Sequence, residues 1–316
     1  MRALFLDREL ILKRDYPDPQ ARAGEAIVKV RMAGICGTDL ELARGYMSYR
    51  GVLGHEFVGQ VVESAQHAGR RVVGEINAGC GRCDACIAAL ERHCPNRTVL
   101  GILGRDGCFA DYLRIPDRNL LVVPDAMSDE FAVFTEPVAA AYEIFAQVRI
   151  PRNATIAVLG DGRLGAIVAM ALKAEQYTAI VGGHHREKLA RLSALGIATA
   201  LEAELIPGFD VVIDCTGASA GFARAIELVR PRGTIVLKST AAAAADPAPR
   251  LNDIVVNEIS VVGSRCGRFA PALDALASGK LDVTALISAV YPLEDALAAF
   301  AAAAEPSNFK VLFKLP

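Results

Sequence analysis

Thr155-Ile156-Ala157-Val158-Leu159-Gly160-Asp161-Gly162-Arg163-Leu164-Gly165 is the stretch that decides the fold. The aliphatic run 155–159 reads as a buried strand, and Leu164 to Ala174 carries a helical pattern. Between them stands G-x-G-x-x-G, a weak pattern alone but informative where a strand enters and a helix leaves. Gly160 permits a tight turn, Gly162 lets the backbone approach a pyrophosphate, and Gly165 lets helix and strand pack closely. The helix N-terminus, with Arg163 and Leu164, then offers free N–H groups to phosphates. A Gly-rich turn in some other α/β fold is the bland alternative, and the flanking strand and helix favour a dinucleotide.

Outward from this motif the rhythm repeats. Strand candidates follow at 179–181, 210–213 and 234–237, with helical segments between them. Strand and helix in alternation imply right-handed crossovers and a parallel sheet. Five alanines at 241–245 read as a loop or a helix start. Toward the N-terminus the pattern changes: residues 26–32 alternate, 58–62 and 71–74 are short strands, and Gly and Pro mark the turns, as in antiparallel β structure. A last alternating strand, 309–315, returns to this first part. The fold class is therefore α/β with a mostly β domain beside it. The expected division is 1–148 with 287–316 for the β domain and 149–286 for the dinucleotide-binding domain.

The chain has 316 residues, of which 53% are hydrophobic, with 34 Lys and Arg against 36 Asp and Glu. That length suits two domains. The balanced charge gives no electrostatic reason for nucleic acid or an anionic membrane as a partner. No apolar run is long enough to span a bilayer, and Met1 to Asp7 is too short and too soon charged for a signal peptide. A cytoplasmic enzyme of small molecules is the expectation.

Four of the eight cysteines are spaced Cys80-x2-Cys83-x2-Cys86-x7-Cys94, within a lobe at 78–96. Four thiolates so placed close a tetrahedral shell round one zinc with no open position, which makes the site structural. An iron–sulfur cluster is the rival, and nothing else in the chain suggests electron transfer. A second set is dispersed: Cys36 in Gly34-Ile35-Cys36-Gly37-Thr38-Asp39, His55 in Gly54-His55-Glu56, and Glu136 before Pro137. Three protein ligands plus water is the composition of a catalytic zinc. Singly, each has a bland reading as a buried thiol, a core histidine and an acidic helix start; the dinucleotide motif tips the balance.

These motifs, in this order, resemble the zinc-containing medium-chain dehydrogenase/reductase family, which includes alcohol, sorbitol, threonine and glucose dehydrogenases. The resemblance covers nearly the whole chain. It implies a GroES-like catalytic domain, a Rossmann domain, and hydride transfer between a nicotinamide cofactor and a small alcohol, polyol or sugar-like substrate and its carbonyl. Cys36, His55 and Glu136 would hold the catalytic zinc, with Asp39 orienting His55 and Glu56 beside the metal. Thr38 matches the family's proton-relay hydroxyl, whereas Glu41 stands where many alcohol dehydrogenases continue the relay with histidine. Glu136 replaces a common cysteine and points to the polyol, sugar and threonine branch. Tyr46 and Arg265 fall near the family's substrate-lining positions. Thr216 is expected at the cofactor. A zinc-free reductase of the same superfamily lacks both metal sets, which argues against it. A non-catalytic zinc and dinucleotide binding protein, acting as a redox sensor or scaffold, is the alternative from another class.

Family members associate through the Rossmann sheet, so a homodimer or homotetramer is expected, with 257–264 as the edge segment. Cofactor choice is read from the end of the second Rossmann strand, where an NAD enzyme usually carries Asp or Glu. Gly183 stands there, followed by His184, His185 and Arg186. With no carboxylate at that position, and Arg186 able to pair with a 2′-phosphate, the expectation is two zinc ions per chain and NADP preferred over NAD.

Overall fold

The computed structural model describes residues 1–239 and 251–316. The alanines at 241–245 lie outside them. Contacts divide the chain into two compact units, Met1–Glu136 with Phe269–Pro316, and Pro137–Arg268.

The second unit is built on a six-stranded parallel sheet. In chain order its strands are Ile156–Leu159, Ala179–Gly183, Ala198–Leu201, Phe209–Asp214, Val229–Leu237 and Ser260–Gly263. In space they run third, second, first, fourth, fifth, sixth. The order reverses beside Ile156–Leu159, the switch point at which open α/β sheets bind ligands. All four residues of that strand are buried, as a central parallel strand requires. The helix Arg163–Ala174 buries eight consecutive residues from Gly165 to Leu172 and carries Lys173 in its last turn, where a cation meets the negative helix end. Ala157, Leu159, Val212, Ile235, Ala225, Ile226 and Leu228 form one apolar cluster of this unit. The segment 257–264 contains Ser260–Gly263, which is an edge strand of the sheet.

The first unit is mostly β. Its seven-stranded sheet centres on Glu25–Gly34, which pairs antiparallel with Glu56–Glu63, Tyr112–Pro116 and Lys310–Lys314. The last strand thus joins the sheet of the first, as its alternation predicted. Three aromatic rings fill the centre: Phe109 packs edge-on against Phe313 at 5.0 Å and against Phe300 at 6.0 Å.

The units part at 136/137 and 268/269, whereas the sequence reading sets the breaks at 148/149 and 286/287. Two helices account for the difference. The helix Thr135–Gln147 has its third residue onward in the parallel-sheet unit, where Lys238 Nζ donates to the Ala140 carbonyl at 2.6 Å. The helix Phe269–Ala277 goes with the β unit, where the Phe269 N–H donates to Glu75 Oε1 at 3.1 Å.

Candidate functional site

In the β unit, the strand Glu25–Gly34 gives way after Gly34 to a turn into the helix Gly37–Ala43, with Cys36 as its N-cap. Asp39 fixes this turn. Its carboxylate is fully buried and accepts from the Cys36 N–H at 2.8 Å and from the Gly54 N–H at 3.3 Å. It thereby ties the Cys36 loop to the residue before His55. Asp39 Oδ1 also lies 3.4 Å from His55 Nδ1, an electrostatic contact longer than a good hydrogen bond. Burial disfavours a charged imidazole and is the largest single influence, but Asp39 and Cys36 together outweigh it and hold the His55 pKa well above its usual value. The proton and a metal therefore compete for this ring.

Cys36 Sγ, a His55 ring nitrogen and a Glu56 carboxylate oxygen lie within 4.8 Å of one another. Zinc bound to S and N/O donors at about 2.0–2.3 Å separates its tetrahedral ligands by about 3.3–3.8 Å, so the set needs little adjustment to close on an ion. Thr38 Oγ1 lies 3.8 Å from Cys36 Sγ, adjacent to that point. Glu136, the expected third ligand, is buried in the first turn of Thr135–Gln147 and is not a member of this close group.

The carboxylate that does join the group has a partner the sequence reading missed. Lys310 Nζ donates to Glu56 Oε1 at 2.8 Å and Oε2 at 2.6 Å, with both side chains almost wholly buried. Nothing in an alternating strand near the C-terminus marks Lys310 as a partner for a residue so distant in the chain. Glu41, by contrast, pairs with Arg44 at the surface.

The four-cysteine lobe contains the short helix Asp84–Ile87 and a turn at Glu91–His93. Cys83 and Cys94 Sγ are 3.6 Å apart. That is far too long for a disulfide and close to the roughly 3.8 Å expected of two thiolates on one zinc. The Cys80 N–H points at Cys94 Sγ and the Gly81 N–H at Cys86 Sγ, both at 3.3 Å, which stabilises thiolates. The backbone N–H groups of Arg82 and Cys83 pull the Cys80 thiol down to about 6.

In the parallel-sheet unit, Gly160 has φ +104°, a conformation that excludes most side chains. A Cβ on Gly165 would strike the Gly160 carbonyl, whereas one on Gly162 would meet open space, as a phosphate-facing position requires. Gly162 is the N-cap of the helix Arg163–Ala174, so Arg163 and Leu164 lie in the first turn of that helix, which presents its N–H groups. Gly160 approaches Cys215 and Thr216 at the end of the fourth strand. There the Thr216 hydroxyl donates to Asp214 at 2.7 Å.

Gly183 ends the second strand, and His185 is the N-cap of the helix Arg186–Ala194. The sequence reading finds no carboxylate here; the structure supplies one from the glycine loop. Asp161 Oδ2 accepts from the His184 N–H at 2.8 Å and the His185 N–H at 2.7 Å, and Asp161 Oδ1 lies 2.9 Å from His185 Nδ1. His184 turns outward, with Nε2 3.3 Å from Glu202, and Arg186 is exposed. The clue in the sequence was the charge itself, since an acidic residue is out of place in a loop that faces phosphates.

Comparison with known proteins agrees with this geometry. Residues 22–125 match the alcohol dehydrogenase GroES-like domain and residues 164–278 match the zinc-binding dehydrogenase domain. The chain is similar to a sorbitol dehydrogenase from Halalkalibacterium halodurans, 29% identical over 95% of this chain and 94% of that protein. Its structure is similar to a zinc-binding dehydrogenase from Sinorhizobium meliloti bound to NADP, with TM-score 0.91 and 27% identity over 99% of this chain and 98% of the other. An alcohol dehydrogenase from E. coli complexed with NADH is similar too, with TM-score 0.89 and 26% identity over 99% of both chains. Among the described residues no helix is long and apolar enough to cross a membrane. With a GroES-like domain, a Rossmann sheet and two zinc-compatible clusters, this chain belongs to the zinc-containing medium-chain dehydrogenase/reductase superfamily and is built as a zinc- and NAD(P)-dependent oxidoreductase.

Proposed function

We propose that the chain is a dehydrogenase that interconverts a small alcohol, polyol or sugar-like substrate and its carbonyl. The observation that carries this reading is the gathering of Cys36, His55 and Glu56 beside the Thr38 hydroxyl. Cys36 and His55 would hold the metal with one carboxylate. Glu136 is our choice for it, because both oxygens of Glu56 are already engaged by Lys310. Zinc held there supplies Lewis acidity toward the substrate oxygen, and a bound nicotinamide supplies the hydride acceptor or donor.

The chain's own groups do the rest. Asp39 keeps the His55 ring in place and links its loop to Cys36. Thr38 Oγ1 relays the proton: in the oxidative direction it accepts the substrate's hydroxyl proton as it gives its own on toward solvent, and in the reductive direction the transfer runs back. The first turn of Arg163–Ala174, with Gly160 and Gly162, binds the cofactor's pyrophosphate, and Thr216 lines its path. The similarity to a sorbitol dehydrogenase supports a polyol as substrate. None of the eight cysteines is paired in a disulfide, which fits the reducing cytoplasm that the proposal assigns to the chain. The edge strand Ser260–Gly263 is proposed to pair with its copy in a homodimer or homotetramer.

A panel of polyols, sugars, amino alcohols and simple secondary alcohols, assayed with NAD and with NADP by nicotinamide absorbance, tests the reading. Turnover that disappears in His55→Ala, while cofactor binding persists, is the expected result. Cofactor binding with no turnover of any alcohol or carbonyl in the zinc-loaded wild type would favour a sensor or scaffold instead.

A further inference from the structure

A Rossmann unit selects its dinucleotide at the end of the second strand, where a carboxylate accepts from the ribose hydroxyls and repels a 2′-phosphate. In this chain the strand ends in Gly183, and the space its side chain would fill is already taken. A Cβ on Gly183 would meet Asp161 Cγ at 2.6 Å and Asp161 Cβ at 2.5 Å. The Asp161 carboxylate, reaching across from the glycine loop, thus stands where a ribose-gripping side chain would begin.

Three further observations define what this carboxylate does. First, it consumes the His184 and His185 N–H groups that lead into the helix Arg186–Ala194. Those are the donors that an incoming anion would use at that helix start. Second, its charge is built in. Burial opposes ionisation and is the largest single influence, but the bonds and charge of His185 together with the Lys188 charge outweigh it and hold the Asp161 carboxyl below its usual range. Third, Oδ1 has capacity for a further donor. Oδ2 takes both N–H groups, while His185 Nδ1 lies 2.9 Å from Oδ1 and 3.1 Å from Oδ2 and must donate because a carboxylate only accepts; each carboxylate oxygen can accept two bonds. Lys188 is buried beside Asp161 and offsets part of the charge from within the fold.

We propose that Asp161 replaces the missing strand-end carboxylate, accepting from the adenosine ribose through Oδ1 and repelling a 2′-phosphate, so that this enzyme prefers NAD over NADP. The proposal rests on the dinucleotide reading above and reverses the preference that a bare Gly183 suggests. Arg186, exposed on the same helix, is too solvated to overcome a fixed carboxylate that already holds both amides.

The test uses the zinc-loaded enzyme and four probes: NADH, NADPH, 5′-AMP and 2′,5′-ADP. Nicotinamide fluorescence follows the first pair and calorimetry the second, which isolates the 2′-phosphate. Wild type should bind NADH and AMP about tenfold tighter than their 2′-phosphorylated partners, as expected for one repulsive charge that Lys188 offsets only in part. Asp161→Asn, which keeps the shape and removes the charge, should narrow both ratios by about tenfold. Equal or tighter binding of the 2′-phosphorylated probes by wild type would overturn the proposal without any variant. Unchanged ratios in a folded Asp161→Asn would overturn it too. Failure of all four probes to bind wild type would instead sink the dinucleotide reading on which it rests.

Discussion

Lys310→Met offers the sharpest view of how the candidate metal site is held. Lys310 Nζ contacts both Glu56 oxygens at 2.6 and 2.8 Å, and the two side chains are 3% and 1% exposed. At that burial neither charge has water to fall back on. Removing the ammonium leaves a carboxylate in an apolar surround, and a buried pair broken from one side costs about 3–5 kcal/mol. Spread over the unit that contains it, that loss lowers the melting temperature by about 8–13 °C. A cation bound beside Cys36 and His55 compensates the same carboxylate, so the loss should be smaller in zinc-loaded protein than after chelation. The double variant Lys310→Met with Glu56→Gln removes both charges and should recover more than half of the deficit. Calorimetry of the wild type, the single and the double variant, each with and without zinc, measures all of this. A single variant within about 1 kcal/mol of wild type in both states, or a double variant no more stable than the single, would refute the reasoning.

Three other outcomes follow from particular contacts. Cys86→Ser should remove one zinc per chain and lower the melting temperature, since structural zinc contributes about 10–16 kcal/mol of apparent binding energy in small peptides; elemental analysis and calorimetry check it. Asp39→Asn should weaken zinc at the Cys36–His55 site by about 10–100-fold while the cysteine lobe stays loaded, because Asp39 orients the ligand loop without touching metal; competition with a chelator separates the two ions. Asp111 is buried enough to oppose ionisation, but its bonds to Arg2 hold its pKa below the usual value. Its stabilising contribution is therefore complete above the unfolded-state pKa and fades as pH falls below about 4. Asp111→Asn should flatten that acid limb of stability, read as melting temperature against pH.

The parallel-sheet unit was legible because its information is local. Each strand is a short apolar run and each crossover a helical pattern, so order and direction follow from handedness and the switch point. The cysteine lobe was legible for the same reason, with four ligands inside fifteen residues of sequence numbering from Cys80 to Cys94. The β unit was legible in kind but not in pairing. Leu312 stands opposite Gly34, and no pattern inside either strand specifies the other. The dispersed metal set lay between these cases. Cys36 and His55 are marked by their motifs, and the structure brings them together. Lys310 carries no mark, because its reason for being buried is a carboxylate on another strand. Asp161 carries no mark either, because what the ribose requires is a carboxylate at a place in space and not at one position in the sequence.

Lys310 and Asp161 share a physical logic, since each is half of a buried charged contact with fixed partners. An interior that buries Phe109, Phe134, Phe309 and Phe313 completely does not tolerate stray charge. Yet Asp39, Glu56, Lys310, Asp161 and Lys238 are all buried. Each is satisfied by fixed partners: Asp39 by two N–H groups, Glu56 by Lys310, Asp161 by the His184–His185 turn, and Lys238 by the Ala140 and Arg265 carbonyls and Ser264. Such groups contribute little net stability compared with apolar replacements of the same shape. What they do provide is position. Three of the five surround the residues that would hold metal and one borders the dinucleotide loop, so the molecule bears its electrostatic cost where chemistry needs fixed charge. On that logic Lys238, which ties the end of the fifth strand to the Ala140 and Arg265 carbonyls and the Ser264 hydroxyl, is a group of the same kind, a buried charge that fixes position.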